Sequence, residues 1–188
     1  MMNCDALMIG GSAGSLEVLL RIIPGLDASL PFPIILVLHR MPGKDNVLTD
    51  LLAAKTKLSV KEVEEKEKLR PATIYIAPPG YHLLIEGNRT FSLDASEKVN
   101  FSRPSLDVSF ESAAYVFGKK LACLLLSGAN SDGSKGLLNV QEKKGMVLVQ
   151  DPATAVVSYM PAHALEILTP NAILTPDEMP GFINNLAK

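Results

Sequence analysis

Five short, continuously apolar runs recur along the chain, at Ala6–Ile9, Pro33–Leu38, Thr73–Ala77, Leu121–Leu126 and Met146–Val149. Runs of this length without polar alternation read as strands buried on both faces of a sheet. Between many of them the hydrophobic period lengthens to that of a helix. Ser15–Ile23 sets Leu16, Leu19, Leu20 and Ile23 on one stripe, and Pro104–Phe117 does the same with Leu106, Phe110, Ala113, Ala114 and Phe117 before stopping at Gly118. Pro104 suits a first helical turn, where its missing N–H costs nothing. Further helices are predicted at Asn46–Lys55, Ser134–Lys143, Pro161–Leu168 and Glu178–Leu186, and Leu83–Leu93 is compatible with a small antiparallel hairpin. Alternating strand and helix predict an α/β fold, a doubly wound and mostly parallel sheet with helices on both faces.

The chain of 188 residues contains no repeat and no linker long enough to divide it, so a single domain spanning 1–188 is expected. A formal charge of −2 leaves no basic excess to neutralise a phosphate backbone, which makes nucleic acid an unexpected partner. The charged run Lys61–Arg70 alternates in sign and reads as a solvated face beside a strand. Cys4 and Cys123 both abut apolar runs and are too few for a disulfide framework or a four-cysteine metal site, so both are expected to be reduced core residues. The N-terminus has no basic leader region, and no run approaches the roughly 20 apolar residues of a membrane span. The chain is thus expected in the cytoplasm, without membrane insertion.

The first strand runs into Gly10-Gly-Ser-Ala-Gly14 and then directly into a helix. A glycine-rich turn of this kind either captures phosphate at the helix N-terminus or lifts a serine hydroxyl clear of the sheet in a Gly-x-Ser-x-Gly turn. The dinucleotide fingerprint is not met, because Ser12 stands at its second glycine and Ser15 at its third, and the Walker lysine is absent. His39 directly follows the second strand, and Asp132 lies in Ser127-Gly-Ala-Asn-Ser-Asp-Gly133 after the strand at Leu121–Leu126. Parallel sheets place their sites along the C-terminal strand ends, which brings Ser12, His39 and Asp132 to one edge. A serine hydroxyl needs a neutral imidazole to take its proton, and the imidazole needs a carboxylate to fix its tautomer. Backbone donors at the start of the Ser12 helix are candidates for an oxyanion site. His82 and His163 are rival bases without the strand-end placement of His39. The chain order Ser, His, Asp also disfavours an ordinary α/β-hydrolase, in which the acid precedes the histidine.

Six motifs, taken in order, resemble the catalytic domain of the CheB-type chemotaxis protein-glutamate methylesterases over nearly the whole chain. They are Ile9-Gly-Gly-Ser-Ala-Gly-Ser15, Leu38-His-Arg-Met-Pro42, Tyr75-Ile-Ala-Pro78 with His82, Arg103-Pro-Ser-Leu-Asp107, Ser127–Gly133 with Gly136, and Met160-Pro161 with Ala164. The resemblance implies a triad of Ser12, His39 and Asp132 with no metal or organic cofactor. It also implies a substrate, glutamyl methyl esters on the cytoplasmic helices of chemoreceptors, hydrolysed to glutamate and methanol, with glutamine deamidation in some members.

The chain departs from the family pattern at Ala13, where threonine is common, at Leu38, where glutamine is usual, and at Ala129-Asn130, where Met-Gly is common. The family's N-terminal receiver domain is not expected here, because the first strand starts within ~10 residues of Met1, and a separate receiver protein is a candidate partner for control in trans. The expectation is a serine carboxylesterase of the protein-glutamate methylesterase type. Its alternatives are a catalytically idle binding domain of the same fold, an esterase for another carboxyl ester, and a nucleotide-binding α/β protein.

Overall fold

A computed structural model describes residues 4–41 and 47–188. Pro42 of the second motif and Asn46 of the second predicted helix lie outside the described residues. In chain order the elements are β1 (Ala6–Gly11), α1 (Ser15–Ile22), β2 (Ile34–Leu38), α2 (Val47–Ala53), β3 (Ser59–Glu62), β4 (Thr73–Ile76), β5 (His82–Ile85) and β6 (Phe91–Asp94). They continue with α3 (Leu106–Phe117), β7 (Leu121–Leu125), α4 (Ser134–Glu142), β8 (Met146–Gln150), α5 (Tyr159–Ile167), β9 (Ala172–Leu174) and α6 (Met179–Asn185).

Seven of the described strands form one parallel sheet in the order β3-β4-β2-β1-β7-β8-β9, and β5 and β6 pair antiparallel as the expected hairpin. The five apolar runs are the five inner strands. Their side chains alternate between two cores: Leu7, Ile9, Leu36 and Leu124 pack with α1, α2 and α6, while Met8, Ile35, Val37 and Leu125 pack with α3, α4, α5 and the hairpin. Helices therefore cover both faces, and the inner strands have no solvated side to show as polar alternation.

Two strands were not expected, and both are edges. β3 pairs only with β4 and lies within a polar segment, and β9 has three residues. An edge strand keeps one side open to water, so it lacks the continuous apolar signature of the inner strands.

The stripe predicted on α1 is shifted by one residue. Ser15, Val18, Leu19 and Ile22 are buried, whereas Leu16 is 39% exposed. Both stripes have helical spacing, and the entry of the chain from Gly14 decides which one meets the sheet. Pro104 also stands just outside α3 rather than in its first turn, with Ser105 as the N-cap. Cys4 and Cys123 are free and buried, and burial pushes the Cys4 thiol up to about 12, far from thiolate reactivity. No helix among the described residues is long and apolar enough to cross a membrane.

Candidate active site

β1 lies between β2 and β7, so the chain leaves the sheet in opposite directions on either side of β1. The crevice at such a reversal is where open α/β sheets hold ligands. Ser12 follows β1, His39 follows β2, and Asp132 stands on the loop after β7. Backbone hydrogen bonds lash the three strand ends together: His39 N–H donates to Gly11 O at 3.1 Å, Ser12 N–H to Ser127 O at 2.9 Å, and Leu126 N–H to Gly10 O at 2.8 Å.

The turn after β1 is made at Gly14, not at the serine. Gly14 has φ 80, and a Cβ there would fall 2.7 Å from the Val156 Cβ and 2.8 Å from the Ser127 Oγ. Only glycine meets both demands. Ser12 thus reaches the site without left-handed strain, unlike the nucleophile of a sharp hydrolase turn. Its own N–H is spent on Ser127. Among the described residues, the N–H groups of Ala13 and Gly14 have no acceptor and are available to an oxyanion.

Ser12 and His39 line one cavity of about 430 Å³, together with Leu16, Leu38 and Arg40. His39 also lines a second cavity of about 470 Å³, walled by Arg40, Lys98, Phe101, Ser102 and Arg103. The imidazole Nε2 is 2.7 Å from Asp132 Oδ2. Its Nδ1 is left for the open side, where Ser102 Oγ lies at 3.4 Å. The usual serine-protease arrangement is reversed, with Nε2 on the carboxylate and Nδ1 on the side where a base would act. Among the described residues, Ser12 Oγ forms no hydrogen bond with the imidazole.

Asp132 is fully buried and receives, besides His39, four donors. The Asn100 Nδ2 (2.8 Å), Ser105 Oγ (2.8 Å) and Asp107 N–H (3.2 Å) reach Oδ1, and the Leu106 N–H (2.7 Å) reaches Oδ2. Two of these N–H groups belong to the first turn of α3, so the carboxylate is the N-terminal cap of that helix and sits at its positive end. Burial works to raise its pKa, but the bonds from His39, Asn100, Leu106 and Ser105 outweigh it and hold Asp132 below the ordinary carboxylate range.

Asp107 answers from α3. Its Oδ1 accepts the N–H groups of Gly133 (2.9 Å) and Gly136 (2.7 Å) at the start of α4, and its Oδ2 accepts Asn100 Nδ2 at 2.8 Å. Burial first, and the charge of Asp132, push Asp107 upward against these bonds. Asp132 thus caps the helix that carries Asp107, and Asp107 caps the helix that follows the loop of Asp132.

The rival histidines are occupied elsewhere. His82 is buried, donates from Nε2 to Glu97 O at 2.8 Å and accepts the Ser105 N–H on Nδ1 at 3.1 Å, so it props the α3 cap. His163 lies 3.1 Å from Ser134 Oγ and stacks on Tyr159. Among the described residues, no cluster of three or more His, Cys, Asp or Glu side chains is arranged to hold a metal. Sequence reasoning missed Asn100, Ser102, Ser105 and Asp107 as members of this site. The only signal was the motif Arg103–Asp107, because none of the four follows a strand of the sheet.

The family model described as CheB methylesterase matches residues 7–183. A Leptospira interrogans protein is 42% identical over 178 residues, covering 95% of this chain and 92% of that protein. The Thermotoga maritima protein-glutamate methylesterase/protein-glutamine glutaminase is 37% identical over 163 residues, 85% of this chain and 47% of the longer protein. The crystal structure of the Thermotoga maritima CheB methylesterase catalytic domain superimposes with a TM-score of 0.93 at 34% identity, over 97% of this chain and 98% of that one.

Proposed function

The chain belongs to the CheB methylesterase family, and from that premise we propose that it hydrolyses glutamyl methyl esters on the cytoplasmic helices of chemoreceptors, through Ser12, His39 and Asp132. The observation that carries the assignment is the His39–Asp132 contact at 2.7 Å beside a cavity that Ser12 shares. Ser12 Oγ attacks the ester carbonyl and its proton passes to His39 Nδ1. Asp132 holds the ring by Nε2 and stabilises its cation. The tetrahedral oxyanion faces the N–H groups of Ala13 and Gly14. Collapse breaks the ester C–O bond, and methanol leaves with the proton from His39. Water then attacks the glutamyl-enzyme, with His39 again as base, and restores Ser12. The Ser12–His39 hydrogen bond forms when substrate fills the cavity, as catalytic hydrogen bonds that are absent or long in the empty site commonly do.

The same acyl chemistry with ammonia as leaving group would deamidate glutamine, the second activity in the name of the Thermotoga relative. The described residues carry the triad around one sheet and act as one catalytic domain, in the cytoplasm where such receptor helices lie.

Methanol release from a methylated chemoreceptor cytoplasmic fragment tests the reading. Ser12→Ala is expected to lower kcat by roughly 10³-fold or more. A loss below about tenfold overturns the serine assignment. No release from the folded wild type would instead favour a binding domain, with Ala13 and Ala129-Asn130 as the first residues to revert.

A further inference from the structure

Residues 99–102 form a two-residue turn in which Ser102 N–H donates to Val99 O at 2.9 Å and Val99 N–H to Ser102 O at 3.2 Å. Both central residues are left-handed, with φ 51 at Asn100 and 61 at Phe101. Left-handed backbone is unfavourable for non-glycine residues, least so for asparagine. Phe101 is 96% exposed, so its ring makes no packing contact that would offset this. What the turn achieves is the placement of its two polar side chains. Asn100 Nδ2 directs one hydrogen to Asp132 Oδ1 and the other to Asp107 Oδ2, both at 2.8 Å, and Ser102 Oγ meets His39 Nδ1.

We propose that Asn100 is a positioning residue for the reaction: its amide clamps the two helix-capping carboxylates together and keeps Asp132 aimed at His39 Nε2. This rests on the Ser12–His39–Asp132 reading. A primary amide is the group this place requires. It offers two N–H bonds and no charge, so it serves two carboxylates at once, whereas a carboxylate would add a third anion and a hydroxyl has one hydrogen to give. The titratable groups facing Asp132 are His39, from the end of β2, and Asp107, from α3. Ser105 and the first-turn N–H groups of α3 complete its surroundings and carry no titration of their own.

The clamp acts on protonation as well as on aim. Removing a donor to an anion makes that anion hold a proton more tightly, so Asp132 takes up its proton at a higher pH. Asn100→Gly deletes the amide while keeping the left-handed backbone at no cost.

The test compares wild type and Asn100→Gly in methanol release from the methylated receptor fragment across pH, with carboxyl 13C NMR titration of Asp132 in the same proteins. The expected result is a kcat lower by about tenfold or more, a KM within about twofold, and an acid limb moved to higher pH. In the NMR titration Asp132 is expected to protonate at a higher pH in the variant. Asn100→Asp, which replaces the donor by an acceptor beside two anions, should lose more kcat than Asn100→Gly at neutral pH. The proposal is overturned by a kcat loss with an unmoved acid limb, by superimposable profiles, or by an unchanged Asp132 titration, and the last of these decides it even if the receptor fragment is not a substrate. Failure of Ser12→Ala to abolish release would overturn the catalytic reading and not the clamp.

Discussion

The two ends of the site are built on opposite plans. At the acid end Asp132 is fully buried and takes five donors, two of them from the N-terminus of α3. At the nucleophile end Ser12 is half-buried, its backbone is lashed to Ser127, and its hydroxyl is free of partners among the described residues. In the proposed reaction the acid stays ionised and still, and its hydrogen bonds are completed in advance. In the proposed reaction the serine gives up its proton and forms a bond, so any standing partner would have to be broken first. One group therefore contributes to folding and to catalysis together, and the other almost entirely to catalysis.

Substitution at each end separates the two plans. Asp132→Ala should remove activity as fully as Ser12→Ala, by roughly 10³-fold or more, and should also cost about 3 kcal/mol or more of stability, since it strands buried donors and uncaps α3. Ser12→Ala should stay within about 0.5 kcal/mol of wild type in urea unfolding, and a comparable loss from both would abolish the contrast.

Acid sharpens the same comparison. The pKa of Asp132 is held down in the folded protein, so its stabilisation is present above the unfolded value of about 4 and is lost as pH falls through the folded value. Asp107 is pushed upward and has the opposite sign: its anion opposes folding above about pH 4, and protonation relieves that cost. Urea midpoints should therefore fall steeply below about pH 4 in the wild type and less steeply in Asp132→Asn. In Ser12→Ala the acid profile should match wild type.

The smallest effect is expected at Leu16, which lines the Ser12 cavity instead of the core. Leu16→Ser should change stability by no more than about 0.5 kcal/mol, whereas Ile22→Ala, one turn-pair along the true buried stripe, should cost about 2 kcal/mol or more.

Legibility followed burial. The inner strands could be read because both their faces are covered, which forces an unbroken apolar run, and β3 and β9 escaped because an edge strand answers to water on one side. The stripe of α1 was displaced by one residue because Leu16 is as apolar as Leu19, and hydrophobicity alone does not say that one faces a cavity and the other the sheet. Ser12, His39 and Asp132 could be selected because each follows a strand of a parallel sheet, where chain order already implies spatial neighbourhood.

No such rule leads to Asn100 or Asp107. Asp107 reaches Asp132 only because α3 and α4 pack with their N-termini against the same loop, and Asn100 is brought there by the left-handed turn at 99–102. Local pattern determined the inner strands, most of the helices and the choice of Ser12, His39 and Asp132 as candidates, since periodicity and strand-end position are properties of neighbouring residues. The tertiary structure alone decided the rotation of α1, the choice of Nε2 for the carboxylate, and the meeting of two buried anions on one amide. Those depend on distances between segments far apart in the chain, and burial makes each of them costly to leave unpaired.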